Sequence, residues 1–209
     1  MMYHAVAEEP RSEIDELYVR PSELRAQLRY IVDNGFQTVT FEDLNNIGAF
    51  YKPVMLTFDD GYKDNYTLLY PMLKAYGLKA TVFMISGATS SEEFMSPDEL
   101  KEVSDSGYIS IQSHSASHVT LTDISTGSLV NELLTSKSDL GAIVKKPIIA
   151  LSYPFGAMDK TVASAASQYY KYAVLSDNGK FICGGNTMAM KRIEIARGIS
   201  MKRFAALIN

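Results

Sequence analysis

Four short segments of this chain carry side chains whose types and spacing suit hydrolytic or metal chemistry. In Thr57-Phe58-Asp59-Asp60-Gly61-Tyr62, the apolar run Val54-Met55-Leu56 leads straight into two carboxylates and a glycine. Adjacent carboxylates repel unless a cation or a proton separates their roles, and a metal ligand beside a general base is one arrangement that does so. Asp-Asp-Gly is also a common turn. His114-Ser115-Ala116-Ser117-His118 holds two of the chain's 3 histidines. On one helical turn, residues i and i+4 share a face. Two imidazoles and one carboxylate then make a facial set suited to Zn²⁺ or a similar divalent ion, with open positions left over. Two unrelated histidines are the plain alternative. In Leu151-Ser152-Tyr153-Pro154-Phe155-Gly156, Pro and Gly fix a turn whose N–H groups could face an oxyanion. A simple turn with aromatic packing explains that segment equally well. Tyr3-His4 is the fourth, and a lone histidine there carries little by itself.

These segments need elements to position them. Strand-like runs fall at 2–6, 37–40, 54–58, 80–85, 108–112, 147–151, 172–175 and 193–196. Helical patterns fall at 21–34, 65–76, 97–106, 125–143, 159–169 and 201–208, with Ser96 as an N-cap and Gly35, Gly77 and Gly107 as stops. Strands alternating with helices imply parallel strands joined by crossovers. About seven such units predict an α/β fold, a distorted (β/α) barrel, with a doubly wound open sheet as the competitor. In either architecture ligands bind at the C-terminal ends of the strands. All four segments sit at such ends.

Composition narrows the class further. The 209 residues carry 20 Lys+Arg against 24 Asp+Glu, a net charge of −4, which argues against a nucleic-acid partner. A hydrophobic share of 46% excludes a disordered chain. No apolar run reaches the roughly 18 residues of a membrane span. The single cysteine, Cys183, allows no internal disulfide. Length and the lack of linkers predict one domain over 1–209. The opening Met1-Met2-Tyr3-His4 lacks the pattern of a signal peptide.

In their order, Thr57-Phe58-Asp59-Asp60-Gly61, His114-Ser115-x-x-His118 and Ser152-Tyr153-Pro154-Phe155-Gly156 resemble the motifs of the polysaccharide deacetylases, carbohydrate esterase family 4 with its NodB-homology domain. The resemblance runs from Met2 to about Ile208. Met2-Tyr3-His4, with Gln27-Leu28 and Asn34-Gly35-Phe36, is similar to the branch that includes the poly-N-acetylglucosamine deacetylases. It implies a distorted barrel and the removal of acetyl groups from an N-acetylated glycan. It also implies a divalent metal, zinc first, with Co, Ni or Mn as alternatives. Asp60, His114 and His118 match the metal ligands, and Asp59 matches the general base. The Phe155 N–H matches the oxyanion donor, and Tyr62, Tyr153 and Pro154 fall among the substrate-binding positions. No histidine follows His118, so the general acid falls to His4, as in the branch whose motifs are circularly permuted. The family implies work at the cell surface or outside the cell.

Two departures stand out. Ser152 occupies the place of an arginine that orients the base, and the chain has no tryptophan for the pocket. Lys63, Tyr62 or one of the arginines is left to compensate. A weak or inactive glycan-binding homologue is therefore one alternative, and an amidase on another N-acyl substrate is a second.

Overall fold

The computed structural model describes residues 1–9 and 17–209. In chain order its regular elements are β1 (Met2–Tyr3), β2 (Ala5–Val6), β3 (Tyr18–Val19), α1 (Pro21–Asp33), β4 (Gln37–Thr38), β5 (Pro53–Val54) and β6 (Thr57–Phe58). There follow α2 (Tyr70–Tyr76), β7 (Ala80–Met84), α3 (Pro97–Asp105), β8 (Ile109–Ser113), α4 (Thr126–Val144), β9 (Ala150–Ser152), α5 (Lys160–Ala166), β10 (Tyr172–Asn178), β11 (Met190–Arg192) and α6 (Met201–Ile208).

A sheet of seven strands runs in the order β1-β6-β7-β8-β9-β10-β11, every pairing parallel. Past β11, the Met2 N–H donates to the Ile193 carbonyl at 2.7 Å and the Ile195 N–H donates to the Met2 carbonyl at 3.0 Å. The two edges thus meet, and the sheet is a nearly closed, distorted (β/α) barrel. Parallel neighbours cannot be joined by hairpins, so helices cross over outside them. Those helices bury one stripe each: Leu24, Leu28 and Ile31 on α1, and Leu129, Leu133 and Leu140 on α4. Local signals set their ends. Gly77 stops α2 in the left-handed conformation (φ 66°), which costs glycine nothing. Ser96 and Glu99 cap α3 reciprocally. Among the described residues no helix is long and apolar enough to cross a membrane.

Four elements differ from the sequence expectation. The 2–6 run breaks at His4. There the Val6 N–H turns to the Asp64 carboxylate at 2.9 Å, and Asn65 Nδ2 donates to the His4 carbonyl at 3.1 Å. β2 consequently pairs with β3, outside the barrel sheet. The 54–58 run also splits, β5 pairing with β4 and β6 joining the barrel. The 65–76 helix begins as a π-helical turn, Asn65–Leu69, before α2. The last strand is Met190–Arg192 and not 193–196. Ile193-Glu194-Ile195 alternates like a strand, whereas Lys191 and Arg192 read as surface. In fact Arg192 points inward and is buried.

Candidate active site

The C-terminal ends of β1, β6, β8, β9 and β11 bring His4, Asp59, Asp60, His114, Ser152 and Arg192 to one end of the barrel. Asp60, His114 and His118 converge, each offering a ligand atom within 4.8 Å of the others. His114 Nε2 and His118 Nε2 lie 3.4 and 3.5 Å from the same Asp60 oxygen, Oδ1. His114 Nδ1 meets the Ser152 carbonyl at 2.8 Å. A carbonyl only accepts, so Nδ1 carries a proton, and Nε2 is the ring nitrogen turned toward Asp60, the one that would take up an ion on giving up its own proton. Two imidazole nitrogens and one carboxylate oxygen, aimed at one point with a second-layer carbonyl behind, fit a zinc-type ion.

The two histidines do not meet through a helical turn as expected. Ser115 (φ 62°) and His118 (φ 57°) are left-handed, and the His118 N–H donates to Ser115 Oγ at 3.0 Å. A tight loop after β8 therefore folds the second ring against the first, with ring centroids 4.7 Å apart. Burial raises the Asp60 carboxyl, but the contact with His114 outweighs it and holds Asp60 low. Burial lowers the His114 imidazole, and its bond to Asp60 more than reverses that. His118 stays low through burial and the neighbouring His114, which favours the neutral form.

Asp59 sits beside this triad in a different setting. Arg192 Nη1 donates to Asp59 Oδ1 at 2.7 Å and Nη2 to Oδ2 at 2.6 Å. Ser152 Oγ donates to Asp59 Oδ2 at 3.0 Å and accepts from Arg192 Nη2 at 3.0 Å. Arg192 also donates to Thr57 Oγ1 at 2.9 Å and to the Leu175 carbonyl at 3.0 Å. All of these side chains are buried. Burial pushes the Asp59 carboxyl up, yet the Arg192 charge and hydrogen bonds overcome this and hold it well below the usual carboxylate range.

Sequence reasoning left this arginine unassigned. The small Ser152 stands in the expected place, and the guanidinium arrives from β11 instead. Of the other candidates, Lys63 is engaged with Glu99 at 2.7 Å and Tyr62 stacks on Phe94. The sequence offers no signal for it: Met190-Lys191-Arg192 reads apolar-charged-charged, and the buried–exposed–buried alternation emerges only in the fold.

The remaining expected residues divide. His4 follows β1, whose Tyr3 pairs with Phe58 and so places it next to Asp59. Burial lowers its imidazole, while the charges of Asp59 and Asp60 pull the other way without prevailing. Phe155 is left-handed (φ 58°), 66% exposed, and its ring lies 4.6 Å edge-on to His118. Among the described residues its N–H has no backbone acceptor. Tyr62 is half-buried and stacks on Phe94 at 5.1 Å. Tyr153 and Pro154, expected to face substrate, are buried, and the Tyr153 hydroxyl donates to the Met188 carbonyl at 3.1 Å. Packing the turn that presents Phe155 takes up both side chains.

Comparison with known proteins agrees with this geometry. The polysaccharide deacetylase family model matches residues 50–174, a span that includes Asp59, Asp60, His114, His118 and Phe155. His4 and Arg192 come from either side of it. The structure of BC0361, a polysaccharide deacetylase from Bacillus cereus, is 35% identical with a TM-score of 0.96, covering 100% of this chain and 68% of that one. The Streptococcus pyogenes deacetylase PplD, solved in complex with acetate, is 26% identical with a TM-score of 0.92, covering 100% of this chain and 96% of that one. A poly-beta-1,6-N-acetyl-D-glucosamine N-deacetylase from Staphylococcus aureus (strain MSSA476) is 27% identical over 164 residues, 70% of this chain and 57% of that protein. With the motif order, the barrel and the matched span in agreement, this chain belongs to the polysaccharide deacetylase family.

Proposed function

We propose that this protein is a metal-dependent hydrolase that removes N-acetyl groups from an N-acetylglucosamine-containing polysaccharide or oligosaccharide. The observation that carries the reading is the convergence of Asp60, His114 and His118 beside an ionised, arginine-held Asp59. The Staphylococcus aureus relative, named for acting on poly-N-acetylglucosamine, supports the substrate class. The acetate held by the Streptococcus pyogenes deacetylase is the product such a reaction releases.

Asp60, His114 and His118 would hold the ion, zinc by preference, with Co, Ni or Mn also suited to this donor set. Bound there, a divalent ion lowers the pKa of a coordinated water and polarises a carbonyl oxygen. Asp59, kept as a carboxylate by Arg192, accepts the proton of the attacking water. The Phe155 N–H faces the oxyanion that develops on the acetamide oxygen. His4 is neutral at rest because burial lowers it. It must gain a proton before it protonates the departing amine, and the charges of Asp59 and Asp60 favour that form. Exposed Phe155 on one side, with Tyr62 and Phe94 as a second aromatic pair, offers apolar faces for a sugar ring in a chain without tryptophan.

Arg192 favours turnover over a merely glycan-binding homologue, because it supplies the guanidinium that Ser152 lacks. The test is to incubate the zinc-loaded protein with N-acetylglucosamine oligomers and assay free amines. Their appearance, lost on Asp59→Asn, supports the reading. No amine from these oligomers, but release from another N-acyl compound, assigns the chain to the wider amidase class instead.

A further inference from the structure

The loop that joins His114 to His118 is fastened from two sides. On one side stands Glu132, in the middle of α4. Its Oε2 accepts the Ala116 N–H at 2.9 Å and the Ser117 N–H at 2.9 Å, and its Oε1 accepts the Ser117 hydroxyl at 2.6 Å. On the other side the turn after β7 donates back. The Ser86 N–H reaches the Ser115 carbonyl at 3.2 Å, and the Gly87 N–H reaches the Ala116 carbonyl at 2.9 Å. The Ala116 peptide groups are thus held at both N–H and C=O. Gly87 makes this approach possible, because a Cβ there would lie 2.7 Å from the Ala116 oxygen.

The fastening acts where the backbone is least willing to go. Ser115 and His118, both non-glycine, are left-handed, a conformation in which a Cβ crowds the following carbonyl oxygen. Strain of this kind persists only where surrounding contacts over-determine it. Glu132 supplies three such contacts to the two residues lying between the strained positions. No other role is evident for it: it makes no ion pair among the described residues.

We infer that Glu132 is a positioning residue of the ion site, clasping the 115–117 loop so that His118 is already turned toward Asp60 and His114 before an ion arrives. The inference rests on the reading that Asp60, His114 and His118 hold a divalent ion. Glu132 itself touches neither the ion position nor substrate. Its effect passes through the backbone that carries His118, so its loss lowers ion affinity.

Zinc affinity of the parent, Glu132→Ala and Glu132→Gln, read by competition with a chromogenic chelator, tests this. Thermal unfolding of each metal-free protein is measured alongside. Glu132→Ala is expected to weaken zinc binding about 10–100-fold, the usual effect of removing a second-layer partner. Glu132→Gln should stay near the parent, because its amide oxygen can accept both N–H groups and its amide nitrogen can donate to Ser117 Oγ. Should Glu132→Ala not fold, Ser117→Ala removes one bond of the clasp from an exposed residue and should weaken zinc to a smaller degree. A Glu132→Ala variant that loses metal-free stability yet binds zinc as the parent does overturns the inference. So does Glu132→Gln binding as weakly as Glu132→Ala, since charge and not hydrogen bonding would then matter. A parent that takes up no zinc overturns the ion reading of the site, and this inference with it.

Discussion

Arg192 holds both carboxylate oxygens of Asp59 from 133 residues further along the chain, at 2.7 and 2.6 Å. Neither side chain reaches solvent to any extent. A carboxyl group buried alone would take up a proton. Facing a planar guanidinium that matches it in two bonds, it stays ionised and fixed in orientation. The pairing also braces the barrel where its edges meet, since it ties the end of β6 to the end of β11 across β1.

Breaking that pair leaves one charge buried without its partner. Arg192→Met is expected to lower stability in urea unfolding by about 3–5 kcal/mol, and Asp59→Asn by a comparable amount. The double variant should cost clearly less than the sum of the two. Additive losses would mean that the two groups do not depend on each other. Arg192→Lys keeps the charge but not the two-bond geometry, and should lose activity while recovering part of the stability.

The same pair gives stability a pH signature. The folded Asp59 pKa lies below its unfolded value, so the contribution is present above about pH 4, the ordinary aspartate value. It is lost as the pH falls toward the folded pKa. Melting temperature should therefore drop more steeply below pH 4 in the parent than in Asp59→Asn. Parallel curves would contradict the depressed carboxyl.

The strand–helix alternation and the pairing of two histidines with a carboxylate were legible in the sequence, whereas barrel closure and the choice of Asp60 as the ligand carboxylate came from the motifs' resemblance to the polysaccharide deacetylases. Asp60, His114 and His118 lie next to apolar strands whose periodicity is plain, and the structure brings them together. Arg192 was not legible as a site residue, because its neighbours Lys191 and Glu194 make the segment look like surface. Only the closing of the sheet buries it. The His114–His118 spacing suggested the right grouping for the wrong local reason. A clasped left-handed loop does what a helical turn was expected to do, and nothing in Ser-Ala-Ser announces positive φ. The break at His4 depends on Asp64 and Asn65, some sixty residues away, which no local pattern can encode.

Phe155 offers a test of the aromatic face separate from the backbone donor. Phe155→Gly keeps the N–H, suits the φ of 58° and removes only the exposed ring. Its stability should equal or exceed the parent's by about 1 kcal/mol, because the left-handed strain is relieved. KM for N-acetylglucosamine oligomers should rise several-fold with kcat less affected. A fall in kcat at unchanged KM would place the ring in the chemistry and not in sugar binding.

The central claim is that ion ligands, base and acid act together on an N-acetyl group. Acetate release from N-acetylglucosamine oligomers, measured beside zinc content for the parent, His4→Ala and His114→Ala, tests it most directly. The account predicts release by the parent. His114→Ala should lose both zinc and release, whereas His4→Ala should keep its zinc and lose about 10²–10⁴-fold in rate, the usual contribution of a general acid. A zinc-loaded parent that releases no acetate, or a His4→Ala variant as fast as the parent, would contradict it.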